Sequence, residues 1–488
     1  MLDVGTDLEP EISKELHDLR QSTPQEWPEE TLQRIKGPMK ATTGGVPLKY
    51  LYGSDYPYRG LHEHCPIESH EVEARISHAK GGFSSIWGAA VLPYLAADIE
   101  DWPISVEQLA PYYQKVLGYV PFSAVSDGLQ ERFPLYAKSS YDLRPSPQAA
   151  LLLDHMRRHQ PGLLASGIMS GRARLAIRDN CTYCRMCLYG CPYGLIYNSA
   201  DTIDDLRKGP RFHYQPGSFV DRVEECDGKV RIFVRSQEGE RILDSTAVFI
   251  GCGTLGTARI MLKSKPIPGT LCVKDSHRFH LPVLQWKGAK NVDTEPMHTM
   301  SQIFLELFDP QVSRYTVHLQ LYTYNDLYML ALRDKLGALF RLVKRPLRLV
   351  SERLSIIFVY VHSEESASMT MRLDGDKVVL ESIGRAESSG IDRRIIRKLT
   401  RARKDLGFVP VGPMMKPAST GRGNHHGGTF PMSKTPDERG TDLLGRPRGF
   451  ERVHLVDAST FPTVPATTIT LTIMANAYRI GTECEIPE

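Results

Sequence analysis

Three groups of residues have the types and spacing to do chemistry. The first is a run of cysteines, Cys181, Cys184, Cys187 and Cys191, followed by Pro192. Its C-x2-C-x2-C-x3-C-P spacing is that of bacterial ferredoxins. Four soft thiolates so close together suit one iron–sulfur cluster or a zinc ion. Thiols with no metal are the third reading. The second group is His425-His426, followed by Gly427 and Gly428. An imidazole titrates near neutrality and can take the proton of a reacting hydroxyl. For an isolated pair, surface or structural histidines are the blander reading, and His426 should face away from whatever His425 faces. The third group is Gly251-Cys252-Gly253-Thr254-Leu255-Gly256, a G-x-G-x-x-G between an apolar run and a helical one. Small residues there would let backbone amides approach a pyrophosphate at a helix N-terminus. The stretch after the helix, SKPIPGTLCVKD, holds two prolines and no clear strand, so a βαβ unit does not close. A glycine-rich turn packed near a cofactor is the plainer account.

The elements that must hold these groups can be read coarsely. Met1–Gly5 look like the end of a buried strand, and an acidic helical stretch follows. Residues 36–60 and 81–103 read as loop, rich in Gly, Pro or Tyr. Helices are expected near 105–117 and 147–159. Residues 218–236 alternate as two strands about an Asp227-Gly228 turn. Residues 244–264 read as strand, glycine turn and helix. Strand-like runs at TVHLQLYTY, SIIFVYVH, SMTMRL and KVVLES suggest a second sheet. Residues 330–353 carry seven Lys or Arg against two acids, with apolar residues at helical spacing and Pro346 as a break. A helix with a solvated basic face would explain them; so would contact with a membrane surface or an acidic partner.

Bulk properties narrow the function classes. The 488 residues have room for two or three lobes. The 41% hydrophobic and 24% charged content is that of a globular chain. A net charge of +3 gives no reason to expect nucleic acid. No apolar run is long enough for a spanning helix. The acidic N-terminus lacks the features of a secretory leader, and nine cysteines, four of them crowded together, do not suggest a disulfide framework. The expectation is a reducing, cytoplasmic setting.

Four separated segments together resemble the glucose–methanol–choline (GMC) oxidoreductase family. They are Leu2-Asp3-Val4-Gly5; Gly81-Gly82-Phe83-Ser84-Ser85-Ile86-Trp87-Gly88 with Asp101-Trp102-Pro103 after it; Ala247–Leu255; and a C-terminal pair. That pair is Asn424-His425-His426-Gly427-Gly428-Thr429-Phe430-Pro431-Met432 and Val456-Asp457-Ala458-Ser459-Thr460-Phe461-Pro462-Thr463. The resemblance implies an α/β fold: a Rossmann-like FAD-binding lobe built from separated segments, and a substrate lobe with a mixed or antiparallel sheet. The FAD lobe would take residues 1–125, 161–265 with the cysteine loop, and 409–488 with the active site. Residues 126–160 would be connecting helices and 266–408 the substrate lobe.

The same resemblance implies the site. Asp3 and Gly5 would lie at the adenosine ribose. Gly82, Ser84, Ser85 and Gly88 would line the pyrophosphate or isoalloxazine, Gly251 and Gly253 would approach the flavin, and Val220 would touch adenine through its backbone. Asp457 and Ala458 would sit at the ribityl chain or pyrophosphate. His425 would be the base and Thr468 an orienting group, standing where the family has Asn or His; a threonine hydroxyl can bond but cannot serve as a base. Thr468 as a mere β-branched or capping residue stays open. The family's first glycine loop has no counterpart before Leu2, so a shortened start or a piece supplied by another chain is open as well. The implied activity is FAD-dependent oxidation of a CH–OH group of an alcohol or sugar-like substrate. Some relatives carry an iron–sulfur cluster in the region of the cysteine run, which would make a dehydrogenase feeding a carrier protein or quinone more fitting than an oxidase. The rivals are a non-catalytic GMC-like subunit or electron-relay partner that binds no FAD alone, and a zinc-stabilised structural protein.

Overall fold

The Asp227-Gly228 turn is present in the computed structural model, which describes residues 1–37, 49–327, 337, 347–384 and 390–486. Both turn residues have positive φ, 53° and 72°. That handedness matches the twist of the strands it joins. Phe219–Cys226, Lys229–Ser236 and Gly239–Ser245 form a three-stranded antiparallel sheet. Its buried Phe219, Val223, Val230 and Val234 pack with Leu255, Ala258 and Met261 of the helix Gly253–Ser264. The strand before that helix, Val248–Ile250, pairs in parallel with Val453–Leu455. A C-terminal strand is thereby brought beside the glycine turn. The strand that follows the helix, Leu271–Asp275, joins a different sheet, so the βαβ unit indeed does not close.

Leu271–Asp275 belongs to a mixed five-stranded sheet. Its order is Ile67–His70, Lys377–Ile383, Ser368–Asp374, Leu271–Asp275, His426–Gly427. The first pair is parallel and the others antiparallel.

The largest sheet is antiparallel, in the order Phe408–Pro410, Arg278–Gln285, Leu354–Tyr360, Val317–Tyr322, Ile303–Leu307, Ile168–Arg172; Lys416–Pro417 also lies against Arg278–Gln285. Successive side chains of a strand take opposite faces. Here one face is apolar: Phe279, Leu281 and Val283; Ile303, Leu305 and Leu307; Val317, Leu319 and Leu321; Ile357 and Val359. It packs with Ala149, Leu152 and Met156 of the helix Pro147–Arg158 and Ile391, Ile395 and Leu399 of Ile391–Arg401. Burial of such side chains contributes about 1.5–3 kcal/mol each. The opposite face carries Arg278, His280, Phe304, Glu306, His318, Gln320, Tyr322, Phe358 and Tyr360, and it is the floor of the site below.

The α/β architecture with a second, largely antiparallel sheet is as read from the sequence. The lobes interleave along the chain, since Ile168–Arg172 from the cysteine-containing segment closes one edge of the large sheet. The two expected helices are Val106–Val116 and Pro147–Arg158. Ser105 and Gln108 form a capping box on the first, and Ser146 caps the second. Most of the basic stretch 330–353 lies outside the described residues. No described helix is long and apolar enough to cross a membrane.

Candidate active site

Strand register arranges the polar floor in two rows. Glu306, His318, Tyr360 and Arg278 are consecutive cross-strand neighbours; so are Phe304, Gln320, Phe358 and His280. Glu306 and His318 are both fully buried, with Oε1 2.7 Å from Nδ1. Gln320 lies 3.0 Å from the other ring nitrogen. Burial raises the Glu306 carboxyl, and His318 beside it pulls part of that shift back. The Arg278 guanidinium lies over the rings of Phe358 and Tyr360, at 5.3 and 5.9 Å.

His425 stands over this floor. Its ring stacks on Tyr360 with centroids 5.1 Å apart and planes 17° from parallel. Its Nδ1 is buried and has no hydrogen-bond partner in the protein. Burial, then Arg278, His318 and His426, push its pKa down to about 3. The imidazole is therefore neutral at neutral pH and has a lone pair to offer. His426 faces away, as expected of the next residue in an extended segment. Its Nε2 lies 2.8 Å from the Gly421 carbonyl and 3.6 Å from Asp275 Oδ1. The other Asp275 oxygen accepts the Gly421 amide at 2.7 Å. His426 thus anchors the short strand that directly follows His425.

Several residues expected at a cofactor converge on this strand. The Thr254 hydroxyl, at the start of the helix Gly253–Ser264, donates to the His426 carbonyl at 2.8 Å. Cys252 provides no side-chain cap for that helix, and Gly253 has φ +75° with open space where a Cβ would stand. Asp457 accepts from Thr257 at 2.5 Å and from the Ser459 amide at 2.9 Å, which ties the C-terminal strand to the glycine turn. Burial raises its carboxyl. The Ala458 carbonyl accepts the Gly428 amide, and Gly251 packs against Val456. Asp3 and Asp457 both act electrostatically on Cys252. At Gly88 an added Cβ would lie 3.4 Å from the hydroxyl of Tyr322, a floor residue.

Other expected cofactor residues have protein partners of their own. Tyr214 donates to Asp3 at 2.9 Å, and Gly5, with φ +63°, leaves the room Tyr214 needs. Ser84 and Ser85 donate to the carbonyls of Gly81 and Gly82, and Gly82 faces open space. Val220 pairs with Val234 beside a bulge. Buried hydroxyls of Thr429, Ser459 and Thr467 have no partner in the protein. A helix N-terminus with no cap from Cys252, an open glycine turn and unpaired hydroxyls in the C-terminal segments fit a polar, phosphate-bearing cofactor such as FAD.

Thr468 is placed elsewhere. Its buried hydroxyl accepts the Leu92 amide at 2.7 Å and also faces the Leu92 carbonyl. It fixes the segment after Gly88, and among the described residues no hydrogen bond joins it to His425. The floor residues Arg278, Glu306, His318 and Tyr360 were not singled out in the sequence. The alternation in Arg278-Phe279-His280-Leu281 is a signal for them, blunted by Pro282 directly after it.

The cysteine run forms a tight loop with Tyr183 and Arg185 at positive φ. Burial, with the neighbouring thiols, pushes Cys181 and Cys184 up to about 12 and raises Cys191. Backbone amides of Tyr183, Thr299 and Leu195 point at the sulfurs of Cys181, Cys187 and Cys191. Among the described residues, no three His, Cys, Asp or Glu side chains converge as a metal-ligand set. As placed, Cys181, Cys184, Cys187 and Cys191 act on one another electrostatically but are not gathered as a ligand set, so the structure does not support the metal expected of them. No step is routed through a cluster.

Residues 393–477 match the model of the family described as GMC oxidoreductase, a span that holds His425, Asp457 and Thr468. No curated protein matches the sequence. Among solved structures, the pyridoxine 4-oxidase from Mesorbium loti superposes with a TM-score of 0.59 at 14% identity, covering 99% of this chain and 93% of that one. At such identity the likeness concerns the fold. The GMC resemblance is thus borne out over residues 393–477 by the family match; across the rest of the chain the likeness is one of fold.

Proposed function

We propose that this GMC-type chain is an FAD-dependent oxidoreductase acting on a CH–OH group. FAD, when bound, supplies the acceptor for the hydride. The observation that carries the reading is His425. It offers an unpartnered ring nitrogen on a floor of polar and aromatic side chains. One residue further along, the His426 carbonyl is bonded to Thr254 at a helix N-terminus that has no cap from Cys252 and that suits a pyrophosphate.

Each residue then has a task. His425, neutral before substrate arrives, accepts the hydroxyl proton at a ring nitrogen as the carbon is oxidised. Tyr360 holds its ring plane by stacking. His426, Asp275 and Gly421 fix the backbone so that a small displacement does not misalign the base. The Glu306–His318–Gln320 chain stiffens the floor. The helix Gly253–Ser264 and the open glycines 82 and 253 would hold the phosphates and allow close approach of the backbone.

Anaerobic mixing of the flavin-loaded protein with a panel of primary and sugar alcohols tests this. At least one alcohol should bleach the flavin absorbance. His425→Ala should retain flavin and slow the bleaching by about 10²–10⁴-fold, the usual contribution of a positioned base. Bleaching at the native rate in that variant would end the assignment of His425, and a chain that retains no flavin would favour the non-catalytic reading.

A further inference from the structure

We propose that the alcohol this site takes carries an anionic group, a carboxylate or a phosphate, received by Arg278 beside His425. The inference rests on the reading of His425 as proton acceptor, which places the hydroxyl end.

Arg278 is half-buried in the floor, next to Tyr360 across the strands. Its guanidinium touches the Tyr360 hydroxyl at 3.5 Å and the Arg422 carbonyl at 3.4 Å. No carboxylate among the described residues lies within ion-pair distance of it, and its Nε is buried without a partner. The surroundings add positive charge. Arg278, Arg422 and Lys416 all act on His280 and, with burial, push its pKa down to about 3. Glu73 faces Arg422 at 3.7 Å and accepts from Ser419. Asp275 feels Arg278 too, yet one of its oxygens accepts from Gly421 and the other faces His426.

A partly desolvated cation without a carboxylate at ion-pair distance is costly. A guanidinium suits the two-point geometry of carboxylate and phosphate. Nitrogens on three side chains here have no protein partner: Arg278 Nε, His280 Nε2 and His425 Nδ1. A ligand with an anionic end and a hydroxyl would give all three something to bond. Tyr360 is common to Arg278 and His425, so the two ends of such a ligand sit on one aromatic side chain. Arg278 is also the foremost charge holding the His425 pKa down. An anion seated on Arg278 offsets that charge and makes His425 a better proton acceptor once substrate is bound.

The test uses the purified, flavin-loaded protein and three matched probes: 4-(hydroxymethyl)benzoate, 4-(hydroxymethyl)phenyl phosphate and the neutral 4-(hydroxymethyl)benzamide. Binding is read by calorimetry, independently of turnover. At least one anionic probe should bind about tenfold or more tighter than the amide; which one does identifies the anion. Arg278→Gln should bring that probe to within about threefold of the amide, and Lys416→Gln, at an exposed position, should cause a smaller loss. Equal binding of all three probes to the native protein, or no binding of either anion, overturns the proposal whether or not Arg278→Gln folds. Selective binding of an anion with no flavin bleaching by any alcohol would instead sink the oxidoreductase reading and leave the anion site standing.

Discussion

Asp98 offers a measurement whose size follows from its surroundings. It ends the short turn Ala96–Asp98 and is 2% exposed. One carboxyl oxygen accepts the Thr316 amide at 2.9 Å, just before the floor strand Val317–Tyr322 begins; the other is buried without a partner. Burial pushes its pKa from the ordinary 3.8 to about 6, with Thr316 pulling part of the shift back. Below pH 3.8 the carboxyl is protonated in both folded and unfolded chains and contributes no penalty. As pH rises toward 6 the unfolded chain releases the proton while the folded one retains it, so stability falls. Above that, the full penalty applies, about 3 kcal/mol for a displacement of this size. Asp98→Asn keeps the acceptor for Thr316 and cannot ionise. In urea titrations the native chain should lose about 2.5 kcal/mol relative to the variant between pH 4 and pH 7. Parallel stability curves for the two proteins over that range would refute the account of a strained, buried carboxyl.

Two further substitutions separate architecture from chemistry. Thr468→Val leaves the Leu92 amide unpaired and should cost about 1–3 kcal/mol in denaturant titrations; the rate of flavin bleaching by an accepted alcohol should stay within about threefold of native, and a loss as large as that of His425→Ala would restore Thr468 as an orienting group. Glu306→Ala strands His318 in a fully buried position and should cost about 3–5 kcal/mol, whereas the double change Glu306→Leu with His318→Phe should be much milder; a double variant as unstable as the single one would show that the floor does not depend on that pair.

Much of the local structure was legible because it depends on short-range physics. The Asp227-Gly228 turn needs residues that tolerate left-handed backbone, and Ser105 and Ser146 cap the helices expected after them. The four strand-like runs between 316 and 383 are strands. They divide between two sheets, two in each, which periodicity cannot announce. The resemblance assigns Thr468 to the position of an active-site residue, but in the fold its hydroxyl is turned to the Leu92 backbone. The cysteine spacing predicts ligands, whereas in the folded loop the thiols are neighbours that are not gathered as a metal-ligand set.

Residue types and their spacing along the chain were enough to settle the alternating strands, the capped helices, the glycine turn before a helix and the opposed facing of His425 and His426, since each depends on neighbours a few positions away. Only the folded chain decided what His425 faces. Tyr360 lies between His318 and Arg278 because three strands far apart in sequence meet in one register, and a shift of a single residue would turn all of those side chains to the other face.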